Sequence, residues 1–198
     1  TKVASVDQNN NIIYTFFTFT YDEIGNPEKY GNWTLTWRGS QLISATNGIN
    51  KIDYTYNDSG IRTSKTVNGV KTDYFLDGDL VIGEKTAEEV ILYTYDVDGK
   101  LISMNYNGEE YFYIRNLQGD IVKIVDKNAD VIVSYKYNTW GKIDIITRDS
   151  CQICETISEK NPYRYRGYRY DEDIKLYYLN SRYYSQELGR FLNADGII

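Results

Sequence analysis

The only cysteines of this 198-residue chain, Cys151 and Cys154, form a Cys-x-x-Cys element. A structural zinc site needs four ligands, usually cysteine and histidine, yet the sequence contains no third cysteine and no histidine. A redox pair of this spacing would lie at the N-terminus of a helix that follows a parallel strand. Here the surrounding stretch, TRDSCQICETISEKN, is polar. We therefore expect two free thiols or a local disulfide in a surface loop, without a function.

The absence of histidine removes several classes of chemistry. Ser-His-Asp and Cys-His catalysis, HExxH metalloproteases and His-ligated metal sites all need an imidazole, so neither a metal nor a cofactor is predicted. The chain has 22 basic and 28 acidic residues, a formal net charge of −6 and a pI near 4.8. This acidic balance argues against nucleic acid and against an anionic membrane as dedicated partners.

Paired carboxylates could indicate a glycosidase, which uses two converging acidic side chains. Adjacent residues of a strand point to opposite faces, so Glu88-Glu89 and Glu109-Glu110 do not converge within one strand. Solvated strand faces and turns account better for these pairs and for Asp171 and Asp173.

Three arginines, Arg164, Arg166 and Arg169, alternate with tyrosines in the way that surfaces for single-stranded nucleic acid combine charge with stacking. The alternative is a strand whose arginines face acidic neighbours, beginning with Asp171-Glu172-Asp173. The net charge favours this second interpretation.

Strands are indicated by a period of two among the aromatic residues, which comprise 21 Tyr, 6 Phe and 3 Trp. Rings at alternate positions, separated by threonine or lysine, are typical of half-buried strands. Helical spacing is hard to find, so the chain is predicted to be almost entirely β. The alternating runs are Phe17–Tyr21, Trp33–Trp37, Tyr54–Tyr56, Tyr93–Tyr95 and Tyr135–Tyr137.

Turn signals are as regular as the strands. Asp or Asn followed three residues later by Gly favours a turn that the first side chain and a positive-φ glycine close together. Asn-Gly favours a two-residue hairpin turn. With weaker turns near Gly39 and Gly78, the period is about 20 residues, one hairpin per repeat. The first class comprises Asp22–Gly25, Asn57–Gly60, Asp96–Gly99, Asn116–Gly119 and Asn138–Gly141, and the second Asn47-Gly48, Asn68-Gly69 and Asn107-Gly108.

This pattern predicts a continuous antiparallel meander of hairpins. A flat open sheet of that width would expose its aromatic face, so we expect the sheet to coil into a spiral shell stabilised by contacts between neighbouring repeats. A propeller-like or barrel arrangement of the same hairpins is the alternative.

Two motifs resemble a known family. The run Tyr93-Thr94-Tyr95-Asp96-Val97-Asp98-Gly99-Lys100-Leu101 is similar to the YD repeat of RHS proteins, and residues 161–195 resemble the start of the RHS-repeat-associated core domain. The resemblance implies a hollow β shell, closed at one end by the core domain, around a variable C-terminal segment that is often a toxin. It divides the chain into shell repeats (1–145), a polar loop with the Cys-x-x-Cys element (146–160) and the start of the cap (161–198).

Several members of that family cut themselves, and the resemblance assigns an arginine and an aspartate of the Gly-Arg-Phe-Leu-x-x-Asp element to this reaction. These positions are Arg190 and Asp195 here. The alternative is a structural turn and salt bridge. The chain also departs from the family, with Lys175 where a turn glycine is usual. It stops before the segment that carries the cut bond and a second aspartate in self-cleaving relatives, so we expect no activity from this chain alone.

The resemblance implies that the protein walls off its own C-terminal toxin or effector, with immunity or delivery proteins as further partners. Two alternatives stay open: an adhesion module that binds a glycan or another cell-surface ligand, and part of an aspartyl-type autoprotease. The parent protein is expected to be secreted or at the cell surface, although residues 1–198 contain neither a signal peptide nor a membrane span.

Overall fold

The described residues, 2–6, 12–16, 19–147 and 151–193 of a computed structural model, form nineteen β-strands and one α-helix. A separate hairpin pairs β1 (Lys2–Val6) with β2 (Ile12–Phe16). One sheet then contains β3 (Lys29–Tyr30), β4 (Trp33–Arg38), β5 (Gln41–Thr46), β6 (Lys51–Tyr56), β7 (Arg62–Val67), β8 (Val70–Asp77), β9 (Leu80–Lys85), β10 (Val90–Tyr95), β11 (Leu101–Tyr106), β12 (Glu109–Arg115), β13 (Ile121–Val125), β14 (Val131–Tyr137) and β15 (Ile143–Thr147). The chain continues through α1 (Gln152–Lys160) and a 3₁₀ turn at Tyr165–Gly167 to a second sheet of β16 (Arg169–Asp171), β17 (Leu176–Leu179), β18 (Arg182–Ser185) and β19 (Arg190–Phe191).

The large sheet is an antiparallel meander in which strands that are neighbours in sequence are also neighbours in space. Its thirteen strands run in unbroken order from β3 to β15. Among the described strands β3 and β15 form its two edges, so the sheet is open. The predicted all-β meander is confirmed, whereas the alternative of a barrel or of separate propeller blades is wrong.

β-Bulges recur in the large sheet at the predicted period. Each one inserts an unpaired residue shortly after a hairpin turn, where the pairing register shifts. A bulge increases the local right-handed twist, so one bulge in each hairpin bends the sheet in steps about 20 residues apart. The inserted residues at this spacing are Ile43, Thr63, Ile82, Ile102 and Val122, and one further bulge, at Ile132, lies outside it.

Tyrosine hydroxyls reinforce three of these bulges. In each case the second ring of a Tyr-x-Tyr pair donates a hydrogen bond to the backbone carbonyl beside the bulge in the preceding strand, which adds a partner for that carbonyl. This explains why the second ring of the pair is a tyrosine and not a phenylalanine. The pairs are Tyr56 with Leu42 (2.7 Å), Tyr95 with Val81 (2.9 Å) and Tyr137 with Ile121 (2.6 Å).

The strand faces follow the predicted alternation. In β4, Trp33 and Leu35 are buried while Thr34 and Thr36 are exposed. The first ring of each Tyr-x-Tyr pair is buried and the residue between the two rings is exposed. The run Phe17–Tyr21 differs: residues 17 and 18 lie outside the described residues, and Tyr21 forms only a single bridge, to Pro27.

The Asp/Asn-x-x-Gly turns all have the same geometry. In each, the glycine N–H donates to the carbonyl of the first residue at 2.9–3.1 Å, and the first side chain accepts from backbone N–H groups, as Asp96 does from Asp98 and Lys100. One turn of this kind, Asp126–Ala129, was not predicted from the sequence, because alanine occupies the glycine position at φ +65°.

The Asn-Gly turns are of two kinds. Both residues of Asn68-Gly69 and of Asn107-Gly108 have positive φ and form two-residue hairpin turns. Asn47-Gly48 instead lies in a four-residue loop, where the Asn47 side chain accepts from the backbone N–H groups of Ile49 and Asn50.

The stretch expected to be a polar surface loop is instead helical from Gln152 to Lys160. Cys154, Ile157 and Ser158 share one buried face at helical spacing, and this face packs on β14 and β15. The expectation failed because three positions suffice to dock a nine-residue helix, too few to stand out in a polar sequence. Cys151 and Cys154 form a disulfide, one of the two states that the sequence left open.

Two turn positions lead to a stability prediction. Ala129 (φ +65°) and Lys175 (φ +58°) are exposed and hold a backbone conformation that costs a non-glycine residue about 1–2 kcal/mol. Glycine removes this strain but loses more conformational entropy on folding, at a cost of about 0.5–1 kcal/mol, so the strain relief prevails by a small margin. Ala129→Gly and Lys175→Gly should therefore each raise the free energy of unfolding by a net of up to about 1 kcal/mol in urea titrations. Asp98→Gly, in an equivalent turn at a position without positive φ, is the control and should destabilise. A loss of stability in all three variants would contradict the prediction.

Candidate functional site: the contact between the large sheet and the C-terminal segment

The C-terminal segment, residues 161–193, packs against one face of the large sheet, which we call the covered face. Leu176 and Tyr183 of the segment share an apolar cluster with Leu35 and Ile52 of the sheet. On β8–β14 the same face carries a second apolar cluster, completed by Cys154 and Ile157 of α1 and by Tyr163. The segment therefore covers part of the sheet, and α1 with the start of the segment covers the rest.

One glycine allows a close approach between the two layers. The Tyr177 hydroxyl donates to the Gly141 carbonyl at 3.0 Å, and a Cβ atom at Gly141 would lie 2.6 Å from the ring of Tyr165. Gly141 also has φ +82°. The last of the Asp/Asn-x-x-Gly turns therefore serves two purposes, closing a hairpin and leaving room for the segment.

A buried ion pair joins the two layers. Arg62 of β7 contacts Asp171 of β16 at 3.0 Å, and the side chains are only 5% and 2% exposed. Lys65 contacts the other oxygen of Asp171 at 3.0 Å and Asp173 at 2.8 Å. The Tyr54 hydroxyl donates to Asp171 at 2.9 Å. Both oxygens of the buried carboxylate are thereby satisfied by residues of the sheet.

Aromatic rings enclose the guanidinium of this ion pair. Its central carbon lies 4.2 Å from the ring centroid of Tyr54 and 4.0 Å from that of Tyr178, and Arg62 also donates to the Tyr183 hydroxyl at 2.6 Å. One of these rings belongs to the sheet and two to the C-terminal segment. Arg62 thus contributes both charge and stacking area to the contact.

The electrostatics of the cluster favour the charged forms. Burial alone would raise the pKa of Asp171, but Lys65 and Arg62 outweigh this effect and lower that pKa to about 2. Burial likewise opposes the charge on Arg62, yet the tyrosines and Asp171 around it raise its pKa well above the ordinary value. The pair is therefore ionised at neutral pH.

A second ionic contact lies further along the sheet. Arg169 of β16 contacts Glu84 of β9 at 3.0 Å, and its guanidinium lies 4.9 Å from the Tyr74 ring and 5.1 Å from the Tyr163 ring. The Tyr93 hydroxyl donates to the same carboxylate of Glu84. This contact resembles the one around Arg62, but here the sheet supplies the carboxylate and the C-terminal segment supplies the arginine.

A buried amide forms the third polar contact. Asn161, which ends α1, is fully buried. Its side chain donates to the Tyr135 hydroxyl at 3.0 Å and accepts from the Tyr113 hydroxyl at 2.9 Å. The covered face thus meets the segment through its tyrosine hydroxyls, which need polar partners when they are buried.

The arginine-tyrosine run contacts acidic residues, as the second interpretation expected. Arg164 pairs with Glu172 at 2.9 Å, and the backbone N–H of Arg166 donates to Asp120 at 2.8 Å. The predicted alternating strand is wrong here, because a 3₁₀ turn spans residues 165–167 and Arg166 has φ +56°.

The carboxylate pairs differ in their burial. Glu109 makes an exposed ion pair with Lys127 at 3.2 Å, as a solvated strand face would. Asp171 is not solvated: it is buried, and it converges with Asp173 on Lys65, so the expectation of a solvated turn is wrong at this position. Asp171 is buried because Arg62 and Lys65 of β7 neutralise its charge, and these residues lie more than a hundred positions away in the sequence.

Arg190 lies at the exposed edge strand β19. It donates to the Tyr21 hydroxyl at 3.0 Å, and its guanidinium is 5.4 Å from the Phe19 ring. Asp195 lies outside the described residues. A joint role for these two residues therefore stays a prediction.

Sequence analysis missed Arg62, although the repeat contains a signal for it. In each bulged hairpin, the residue just before the inserted one pairs with the preceding strand. This residue is Arg62 in β7, whereas it is aliphatic in the other hairpins. A charged residue at a core position of a repeat indicates a buried partner elsewhere in the chain. The aliphatic equivalents are Leu42, Val81, Leu101 and Ile121.

Neither a metal-binding cluster nor a membrane-spanning helix is found among the described residues. Within them, no group of three or more Cys, Asp or Glu side chains is placed to hold a metal ion. In the same part of the chain, no helix has the length and apolarity to cross a membrane.

The buried carboxylate predicts a contrast between two neighbouring substitutions. Asp171→Asn leaves the buried Arg62 cation without its carboxylate and should lower the free energy of unfolding by about 3–5 kcal/mol. Asp173→Asn removes a partly exposed carboxylate from the same lysine and should cost less than about 1 kcal/mol. Urea unfolding of both variants measures the contrast, and equal losses would refute it.

The lowered pKa of Asp171 predicts a dependence of stability on pH. A carboxyl with a folded-state pKa of about 2, against an ordinary value of 3.8, stabilises the fold above pH 4 and loses this effect as the pH falls towards 2. The stability difference between the wild type and Asp171→Asn should therefore narrow by about 2 kcal/mol between pH 5 and pH 2. A difference that stays constant over this range would contradict the assignment.

Comparisons with known proteins agree with this architecture. Residues 17–197 match the family described as Teneurin YD-shell. The tRNA nuclease WapA of Bacillus subtilis is 39% identical over 186 residues, which cover 90% of this chain and 8% of that protein. The tRNA3(Ser)-specific nuclease WapA of Bacillus spizizenii is 38% identical over the same shares of both chains. The chain thus spans about 8% of the length of these curated relatives.

Solved structures show the same fold at lower identity. The crystal structure of TcdB2-TccC3 without its hypervariable C-terminal region superposes with a TM-score of 0.69 and 16% identity, over 98% of this chain and 11% of that one. The family match extends over nearly the whole chain and confirms the RHS/YD-repeat resemblance. With its open meander of bulged hairpins and its tyrosine-lined covered face, this chain belongs to the Teneurin YD-shell family.

Proposed function

We propose that this chain is part of the wall of a hollow shell, together with the segment that begins to close it, and that the shell encloses a C-terminal effector. The meander supports the wall, because each further hairpin extends the sheet by one strand pair. The C-terminal segment supports the closure, because it lies on the covered face and binds there through three separate polar contacts.

The observation that carries the proposal is the position of Asn193, the last described residue. Asn193 is 5% exposed, accepts from the backbone N–H of Tyr183 at 2.9 Å and donates to the carbonyl of Ser181 at 3.0 Å. Its neighbour Leu192 packs in the apolar cluster of the covered face. The C-terminal segment is therefore held against the covered face as far as its last described residues, which supports its role in closing the wall.

The relatives support a separation between a structural shell and a catalytic effector. Two of them are tRNA nucleases by name, while this chain matches only 8% of their length. TccC3 has a hypervariable C-terminal region that one solved structure omits. We propose by analogy that this chain is the constant, structural part of a secreted or cell-surface toxin, and that any catalytic activity resides in a variable effector. Delivery and immunity proteins are the further partners in this proposal.

The adhesion alternative receives less support from the geometry. The tyrosines of the Tyr-x-Tyr pairs, which could have formed a glycan-binding surface, face the C-terminal segment. Self-cleavage through Arg190 and Asp195 remains a prediction from the family resemblance.

Limited proteolysis of the natural protein that contains this chain tests the enclosure. We expect the effector to survive in the wild type, and to be digested at least about tenfold faster in Asp171→Asn, because loss of the buried ion pair loosens the closing segment. Asp173→Asn, which touches the same lysine, is the matched control and should protect like the wild type. The effector expressed alone gives the unprotected rate. Digestion of the wild-type effector at that rate would refute enclosure.

A further inference from the structure

The disulfide at the start of α1 has an asymmetric environment. Cys151 is the N-cap residue of the helix and is partly exposed, and its Sγ accepts a hydrogen bond from the backbone N–H of Cys154 at 3.3 Å. Cys154 is fully buried in the apolar cluster beneath the helix. Cys151 is therefore the more accessible residue of the pair.

We propose that the Cys151–Cys154 disulfide is a thiol-exchange site that reacts at Cys151 with an external dithiol, and that its reduction loosens the first turn of α1. This inference concerns the helix alone and does not depend on the proposed enclosure of an effector. It revises the sequence-based expectation of a pair without a function: a helix does begin at this position, while the strand before it, β15, is antiparallel and not parallel.

The exchange proceeds in two steps. A thiolate of the dithiol attacks Cys151 Sγ, the bond between the two cysteines breaks, and Cys154 leaves as a thiolate that takes up a proton. The second thiol of the reagent, as thiolate, then attacks the reagent's own sulfur in the mixed disulfide and releases Cys151. The protein disulfide gains two electrons and two protons to become two thiols, and the dithiol is oxidised to a disulfide.

Accessibility selects Cys151 as the attacked sulfur. It is half-buried while Cys154 is fully buried, so a thiolate reaches Cys151 more readily. The helix N-terminus assists the second step, because its backbone N–H groups stabilise the Cys151 thiolate that is released, or that attacks in the reverse reaction.

The first turn of α1 depends on this bond. Cysteine is not among the preferred N-cap residues, and a helix of nine residues is marginal without tertiary support. The other end is held independently, since Asn161 donates its backbone N–H to Ile157 at 3.0 Å and its side chain binds Tyr113 and Tyr135. Reduction should therefore release the N-terminal turn and leave the C-terminal end in place.

Peptide-resolved mass spectrometry of the natural protein tests the proposal without denaturant. After incubation with dithiothreitol, we expect Cys151 to be alkylated at least about tenfold faster than Cys154. Amide hydrogen exchange in residues 152–156 should accelerate at least about tenfold, while exchange in β4–β6 stays unchanged. Resistance of the disulfide to dithiothreitol until the protein unfolds, or unchanged exchange after reduction, would overturn the proposal.

Two single variants separate the roles of the sulfurs. Cys154→Ala leaves the exposed thiol, which should form a mixed disulfide with oxidised glutathione. Cys151→Ser leaves the buried thiol, which should not react in the folded protein, and its serine supplies a preferred N-cap that keeps the first turn protected. Equal reaction rates of the two thiols would overturn the assignment. Should Cys154→Ala fail to fold, the alkylation order in the wild type still decides the question.

Discussion

An open sheet with an aromatic face must have that face covered, and this requirement determines how the rest of the molecule is arranged. The large sheet is covered by α1 and the C-terminal segment, which follow it directly in the chain. Because the face is rich in tyrosine, an apolar cover alone would leave buried hydroxyl groups without partners. The cover therefore carries Asn161 and Asp171, which bond sheet hydroxyls directly. It also carries Arg169, which pairs with the Glu84 carboxylate that accepts from the Tyr93 hydroxyl.

The buried charges give this contact its register. An apolar cluster tolerates small displacements, but Arg62 and Asp171 lose their compensation as soon as the layers slide apart, and a buried charge without a partner is costly. Arg169 and Glu84 impose the same condition at a second point. Two such pairs with opposite polarity, one cation on each layer, favour a single docking position of the segment. We regard position, more than net stability, as the contribution of these pairs.

The features that the sequence predicted are those determined by near neighbours. Alternation within β4 depends on adjacent residues, and a turn such as Asp96–Gly99 depends on a side chain and a glycine three positions apart. The features it did not predict depend on distant partners. The burial of Asp171 depends on Arg62, and α1 depends on the sheet that its few apolar residues meet. Ala129 was missed because a backbone conformation, and not its residue type, defines that turn.

The regular bulges have a consequence for the size of any enclosure built this way. Because each hairpin contains its own bulge, the curvature is set within each repeat and does not depend on the number of repeats in the sheet. Duplication of one repeat then lengthens the spiral by one step at the same radius. Tandem expansion of the repeats would therefore lengthen such a wall and leave its curvature unchanged.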